Sequence, residues 1–209
     1  MPSMILLNQM KKFFKQKNKG FTLIETLVAV SIFTLSIIAL LVVLTQGIAD
    51  NNYAKRKVIA GYLAQEGIEY MRNMRDTFVL FDPTDSQTGW NAFNTKVAGG
   101  VFPSSSVCAQ ANGDGCYFGD LTASDYTNPL QPMAGLAVTA CVGDCASLLY
   151  DETTGKYNYL SGEDSGYVRQ IVVNQISANE DKVSSTVSWT QGSGSYSITF
   201  SENLFNWVE

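Results

Sequence analysis

The sequence predicts an α+β protein in which a long N-terminal helix packs against an antiparallel β-meander. Three features point there. A charge-free apolar run, Thr26 to Ala49, leads into a segment that keeps a helical period. No proline lies between Phe21 and Phe81, and the chain ends in three runs rich in β-branched and aromatic residues.

The 209 residues suffice for one domain of ordinary size plus a membrane segment. The net charge of −5 hides an asymmetry, because Lys11, Lys12, Lys15, Lys17 and Lys19 crowd the first 20 positions, which hold no acid. Beyond them stand 9 basic and 19 acidic residues, a balance of −10, which argues against nucleic acid as a partner. Histidine is absent. That removes Ser-His-Asp and Cys-His nucleophile chemistry and the HExxH zinc helix, so no catalytic role is expected and no cofactor is nominated.

The first element is the basic tail, residues 1–20, and the second is the apolar helix, residues 21–49. Thr26 to Ala49 runs 24 positions without a charge or proline, and roughly 20 apolar residues cross a hydrocarbon core of about 30 Å. The lysines hold the N-terminal side in the cytoplasm and leave everything after about Asp50 outside. A cleaved secretory signal fits less well, since its apolar core is about 7 to 15 residues and no A-x-A pattern follows promptly here.

At the junction of tail and helix the residues KGFTLIE, Lys19 to Glu25, resemble the processing site of type IV pilins and of the pseudopilins of type II secretion. The resemblance implies that a prepilin peptidase cuts between Gly20 and Phe21 and methylates the new amine of Phe21. Glu25 then becomes the fifth residue of the mature chain and an assembly residue. Other pilin or pseudopilin subunits are the implied partners, with membrane lipid as the environment before assembly. The implied location is the bacterial inner or cytoplasmic membrane, then a pilus or pseudopilus. The implied fold is the pilin ladle. Pilins often interrupt the apolar helix with glycine and proline; Thr34 and Val42 stand there instead, which puts a melted stretch in doubt.

Physical chemistry supports a partner for Glu25 independently. A carboxylate in a membrane costs a few kcal/mol unless paired, and cleavage creates an ammonium about four rises of 1.5 Å away along the same helix. A neighbouring subunit's amine is the other available counterion. Alternatively, Glu25 sits at headgroup level and snorkels.

The third element, residues 50–78, continues the helix to about Arg75, with Ile59, Leu63, Gly67, Tyr70 and Met74 on one stripe. LAQEGIEYMRNMRD resembles pseudopilins in particular. Lys55, Arg56 and Lys57 read as a solvated collar where the helix leaves the bilayer, and Met71 and Met74 as core filler.

The fourth element, residues 79–209, is a β head. From Thr77 to Gly166 the composition turns to Gly, Asp, Ser, Asn and Thr, which predicts loops and short strands, including a hairpin of Leu148 to Tyr150 with Lys156 to Leu160. Strands follow in YVRQIVVNQI, KVSSTVSWT and SYSITFSE. Val183, Ser185, Val187 and Trp189 share one face; Tyr196, Ile198 and Phe200 share another. The meander is expected against the helix stripe.

Cys108, Cys116, Cys141 and Cys145 all fall in the exported part, where an even count suggests disulfides. Local pairs, 108 with 116 and 141 with 145, need the least rearrangement, although four cysteines permit three connectivities. Neither spacing is the C-x2-C of a zinc site, and no metal is assigned. QANGDGCYFGDL partly matches an EF-hand loop through Asn112, Asp114 and Gly115, but Gln110 and Leu121 replace two main ligands. An irregular calcium site at Asp114, Asp120 or Asp125 is the lesser alternative to a plain turn. The acid pairs Glu163 with Asp164 and Glu180 with Asp181 read as solvated turn residues.

Two functions follow. One is a filament subunit. The other is a single-pass membrane protein that never assembles and uses its head to bind a ligand or surface.

Overall fold

The computed structural model describes residues 20–82, 84–98, 107–108, 114–119 and 138–206. The chain divides into two compact units, Met1–Asn51 and Asn52–Glu209. Helix α1, Leu23–Phe81, contributes to both.

In the first unit every described side chain of α1 is exposed, including Leu27, Phe33, Leu40 and Leu44. The helix is long and apolar enough to cross a membrane. It runs unbroken through Thr34 and Val42, where no glycine or proline removes a backbone bond. The hydroxyls of Thr26, Ser31, Thr34, Ser36 and Thr45 donate to carbonyls three or four residues back, at 2.8 to 2.9 Å. These hydroxyls are thus satisfied within the helix itself, as an apolar surrounding demands.

In the second unit α1 turns one face to a seven-stranded sheet. Ala60, Leu63, Ala64, Gly67, Ile68, Met71 and Met74 are buried, while Ile59 and Tyr70 are half-buried. The expected stripe is therefore rotated slightly toward smaller residues, because Ala60 and Ala64 let the sheet approach. Met71 and Met74 are core residues. A Cβ on Gly67 would collide with Ser185 Oγ, so glycine lets helix and sheet approach closely there.

The helix runs on past Arg75 to Phe81, since Thr77 and Val79 still face the core. Asp82 then accepts from the Thr84 amide at 2.8 Å, forming a turn. Next comes a helix where loops and short strands were expected: α2, Ser86–Ala98. Asp85 caps it, its carboxylate accepting from the Thr88 amide at 2.7 Å. Trp90, Phe93 and Val97 are fully buried. Their spacing of three and four is helical, but polar neighbours mask it in the sequence. Gly89 allows the two helices to meet, since a Cβ there would strike the Phe78 carbonyl.

The strands are β1 (Cys116–Phe118), β2 (Val138–Ala140), β3 (Ser147–Asp151), β4 (Lys156–Asn158), β5 (Glu163–Ser177), β6 (Glu180–Gln191) and β7 (Gly194–Phe205). All pairings are antiparallel, with β5 central: β6 and then β7 lie on one side, β1–β2 and the β3–β4 hairpin on the other.

Register sets Val187 opposite Ile198 and Trp189 opposite Tyr196. The two residue sets assigned to different faces therefore share one, the face toward α1. Tyr196 and Phe200 stay partly exposed because β7 is an edge strand. The opposite face is polar, with hydroxyl pairs Ser184–Ser201 at 2.9 Å and Thr186–Thr199 at 2.8 Å.

One acid departs from its expected place. Asp181 is fully buried, whereas Glu163 and Asp164 are exposed. The odd-numbered positions of β6 face the core, and strand alternation puts Asp181 among them.

Candidate processing and assembly site

Gly20 and Phe21 precede α1, and both are exposed. A Cβ built on Gly20 meets nothing within 4 Å, and its φ is not left-handed. Among the described residues, nothing in the fold asks for glycine at that position.

Thr22 begins the helix. Its hydroxyl oxygen accepts from the Glu25 amide at 3.3 Å, and its carbonyl accepts from the Thr26 amide at 3.2 Å. Glu25 thus stands in the first turn, where a negative charge suits the positive end of the helix dipole. The pattern Thr22-Leu-Ile-Glu25 is the sequence signature of such a start. Sequence reasoning passed over this role of Thr22.

Glu25 is the lone charged residue between Phe21 and Ala49. Among the described residues no cation forms an ion pair with it. Around it Phe21, Leu23, Ile24 and Leu27 expose large apolar surfaces. Water is a poor solvent for that surface and hydrocarbon a poor one for the acid, so neither alone satisfies the segment. Lys11, Lys12, Lys15, Lys17 and Lys19 lie outside the described residues.

The cysteines belong to the second unit. Cys108 is bonded to Cys116, and Cys141 to Cys145, each with Cα atoms 4.6 Å apart. Cys108 also joins α2 to β5: its amide donates to Val97 O at 3.0 Å and its carbonyl accepts from Val173 N at 2.7 Å. Of the calcium-loop candidates, Gln110, Asn112, Asp120, Leu121 and Asp125 lie outside the described residues. Asp114 accepts from the Gly143 amide at 3.2 Å, and no group of three metal-ligating side chains occurs among the described residues.

Arg56, placed in the expected solvated collar, turns partly to the sheet. Its Nη1 donates to Thr190 O at 3.3 Å, and its carbonyl accepts from the Tyr167 hydroxyl at 3.2 Å. Lys55 and Lys57 are exposed.

A membrane-capable helix that starts at a capped acid, joined to an α+β unit with an antiparallel sheet, is a pilin-like arrangement. Residues 15–44 match the family model of the prokaryotic N-terminal methylation motif, a match that spans the lysine–glycine–phenylalanine junction, Glu25 and most of the apolar run. Those residues thus carry the prepilin signal of type IV pilins and pseudopilins. Comparison with curated proteins and with solved structures finds no match.

Proposed function

We propose that this chain is a structural subunit of a type IV pilus or a type II secretion pseudopilus. It is inserted in the bacterial inner or cytoplasmic membrane with residues 1–20 as a leader and its head outside the cytoplasm. Prepilin peptidase cuts after Gly20 and methylates Phe21. The helix from Phe21 to Ala49 then leaves the lipid to pack with those of other subunits. The chain is a substrate once and structural thereafter, without catalysis of its own.

The observation behind this is the state of Glu25, a single acid in an apolar helix exposed on all sides. Cleavage supplies the missing cation, on this chain or on its neighbour. Charge pairing then sets register while apolar packing supplies most of the cohesion. Mass spectrometry of the N-terminus, from cells with and without prepilin peptidase, tests it. Methylated Phe21 is expected only with the peptidase, and a chain still starting at Met1 in both would favour the single-pass protein that never assembles.

A further inference from the structure

The second unit holds an acid that the assembly role does not use. Asp181 opens the core-facing side of β6, opposite Gln175 of β5 and Leu204 of β7. It has no exposed surface, and neither carboxylate oxygen has a hydrogen-bond partner among the described residues. Asn94 of α2 is the polar side chain that acts on it. The Asn94 amide nitrogen is committed to Trp90 O at 3.1 Å, and its Oδ1 also lacks a donor. The unsatisfied atoms here are therefore three oxygens, all acceptors. A buried carboxylate in that setting is costly, and a single proton turns one acceptor into a donor.

Among the described residues no charged group compensates it. On α1, Arg75 is bound to Asp76 at 2.5 Å and to Phe205 O at 2.9 Å. Glu180 accepts from Asn203 at 2.8 Å on the other face of the sheet. Neither Lys96 of α2 nor Lys182 of β6 is among the groups that act on Asp181. Burial pushes its carboxyl up to about 7, against a weaker pull downward from Asn94.

The position matters because α2 meets the β5–β6 turn there. Trp90 Nε1 donates to Ala178 O at 2.9 Å. Asn206 donates to Gln87 at 2.7 Å and to Asn179 at 3.3 Å. Those ties do not titrate near neutrality. Asp181, buried beside them, does.

We propose that Asp181 is a proton-operated latch: while its carboxyl is neutral the Ser86–Ala98 helix stays packed at the β5–β6 turn, and ionisation, which leaves a charge buried there, releases that helix. The folded carboxyl binds its proton more tightly than the unfolded chain does. Its contribution to stability is complete below the unfolded carboxylate range near 4 and is lost as pH rises to about 7. Over that window the folded-to-unfolded ratio falls about tenfold per pH unit from this one group.

The test uses the full chain in detergent. Urea unfolding from pH 4 to 9 is compared between the wild type and Asp181→Asn, which stays neutral at every pH. The expected result is a one-proton difference in slope below neutrality, none above it, and hydrogen exchange in residues 86–98 that rises across neutrality in the wild type alone. Should Asp181→Asn fail to fold, difference infrared spectroscopy of the wild type reads the buried protonated carboxyl directly, and its presence at pH 5 and loss by pH 9 is expected. Parallel pH profiles, or an ionised carboxyl throughout, would overturn the latch. So would stabilisation by calcium chloride at pH 8 that Asp181→Asn abolishes, since a cation would then bridge the acceptors.

Discussion

The Glu25 amide donates to the Thr22 hydroxyl oxygen at 3.3 Å, which holds the one acid of the membrane-capable segment in the first turn of its helix. The new amine produced by cleavage at Gly20 would sit one residue before that cap. A cation there is disfavoured by the helix dipole, and Glu25 offsets it by about 0.3 to 1 kcal/mol when exposed and more when desolvated. With the proposed cleavage after Gly20, cap, acid and new amine would stand within one turn of each other.

Replacing Gly20 with Val should leave folding and membrane insertion unchanged, because a Cβ there meets nothing. Processing should stop. Anti-head immunoblots of membranes, which separate precursor from mature chain, check this, and normal cleavage would remove Gly20 from the proposed processing site.

Glu25→Ala should insert normally yet enter fibres poorly, and Glu25→Gln should fare no better, because charge rather than hydrogen bonding is missing. Sheared-fibre fractions compared with membrane fractions give the measurement. Full incorporation of either variant would end the pairing argument.

Gly89→Ala places a methyl group against the Phe78 carbonyl. Overpacking of this kind destabilises by about 1 to 3 kcal/mol. Denaturant midpoints report it, with Gly47→Ala as the neutral comparison, since nothing lies within 4 Å of that position.

Arg169, almost completely buried, donates to Glu66 at 2.7 Å and to Leu63 O at 3.3 Å, and packs between the rings of Tyr70 and Tyr159. Glu66→Gln keeps the shape and removes the counter-charge, so a loss of about 1.5 kcal/mol is expected for a hydrogen bond to a charged group whose acid is partly solvated. Tyrosine fluorescence during urea unfolding reads the shift.

Removal of the Cys108–Cys116 link by a double alanine substitution should cost about 2 to 4 kcal/mol. The Cys141–Cys145 link should cost less, because it closes a shorter loop, 4 residues apart against 8, and its cysteines retain slight exposure. Paired unfolding curves decide between them, and an equal loss would contradict the loop-length account.

The sequence by itself determined the membrane-capable apolar helix, the prepilin motif at its start, the helical period after it and the three long strands. Each is a local pattern, namely an unbroken apolar run, a basic–glycine–phenylalanine–acid spacing, a 3.6 period and a period of two. Only the tertiary structure decided which cysteines meet, and it turned the buried stripe of α1 toward Ala60 and Ala64 and revealed helix α2 inside a polar stretch. It also placed Tyr196, Ile198 and Phe200 on the same side of the sheet as Val187 and Trp189, and it sank Asp181 into the core. Those outcomes depend on register and on contacts between residues far apart in the chain, such as Gly67 with Ser185 and Trp90 with Ala178. Composition carries no trace of such contacts, because burial belongs to the packed chain and not to any one residue.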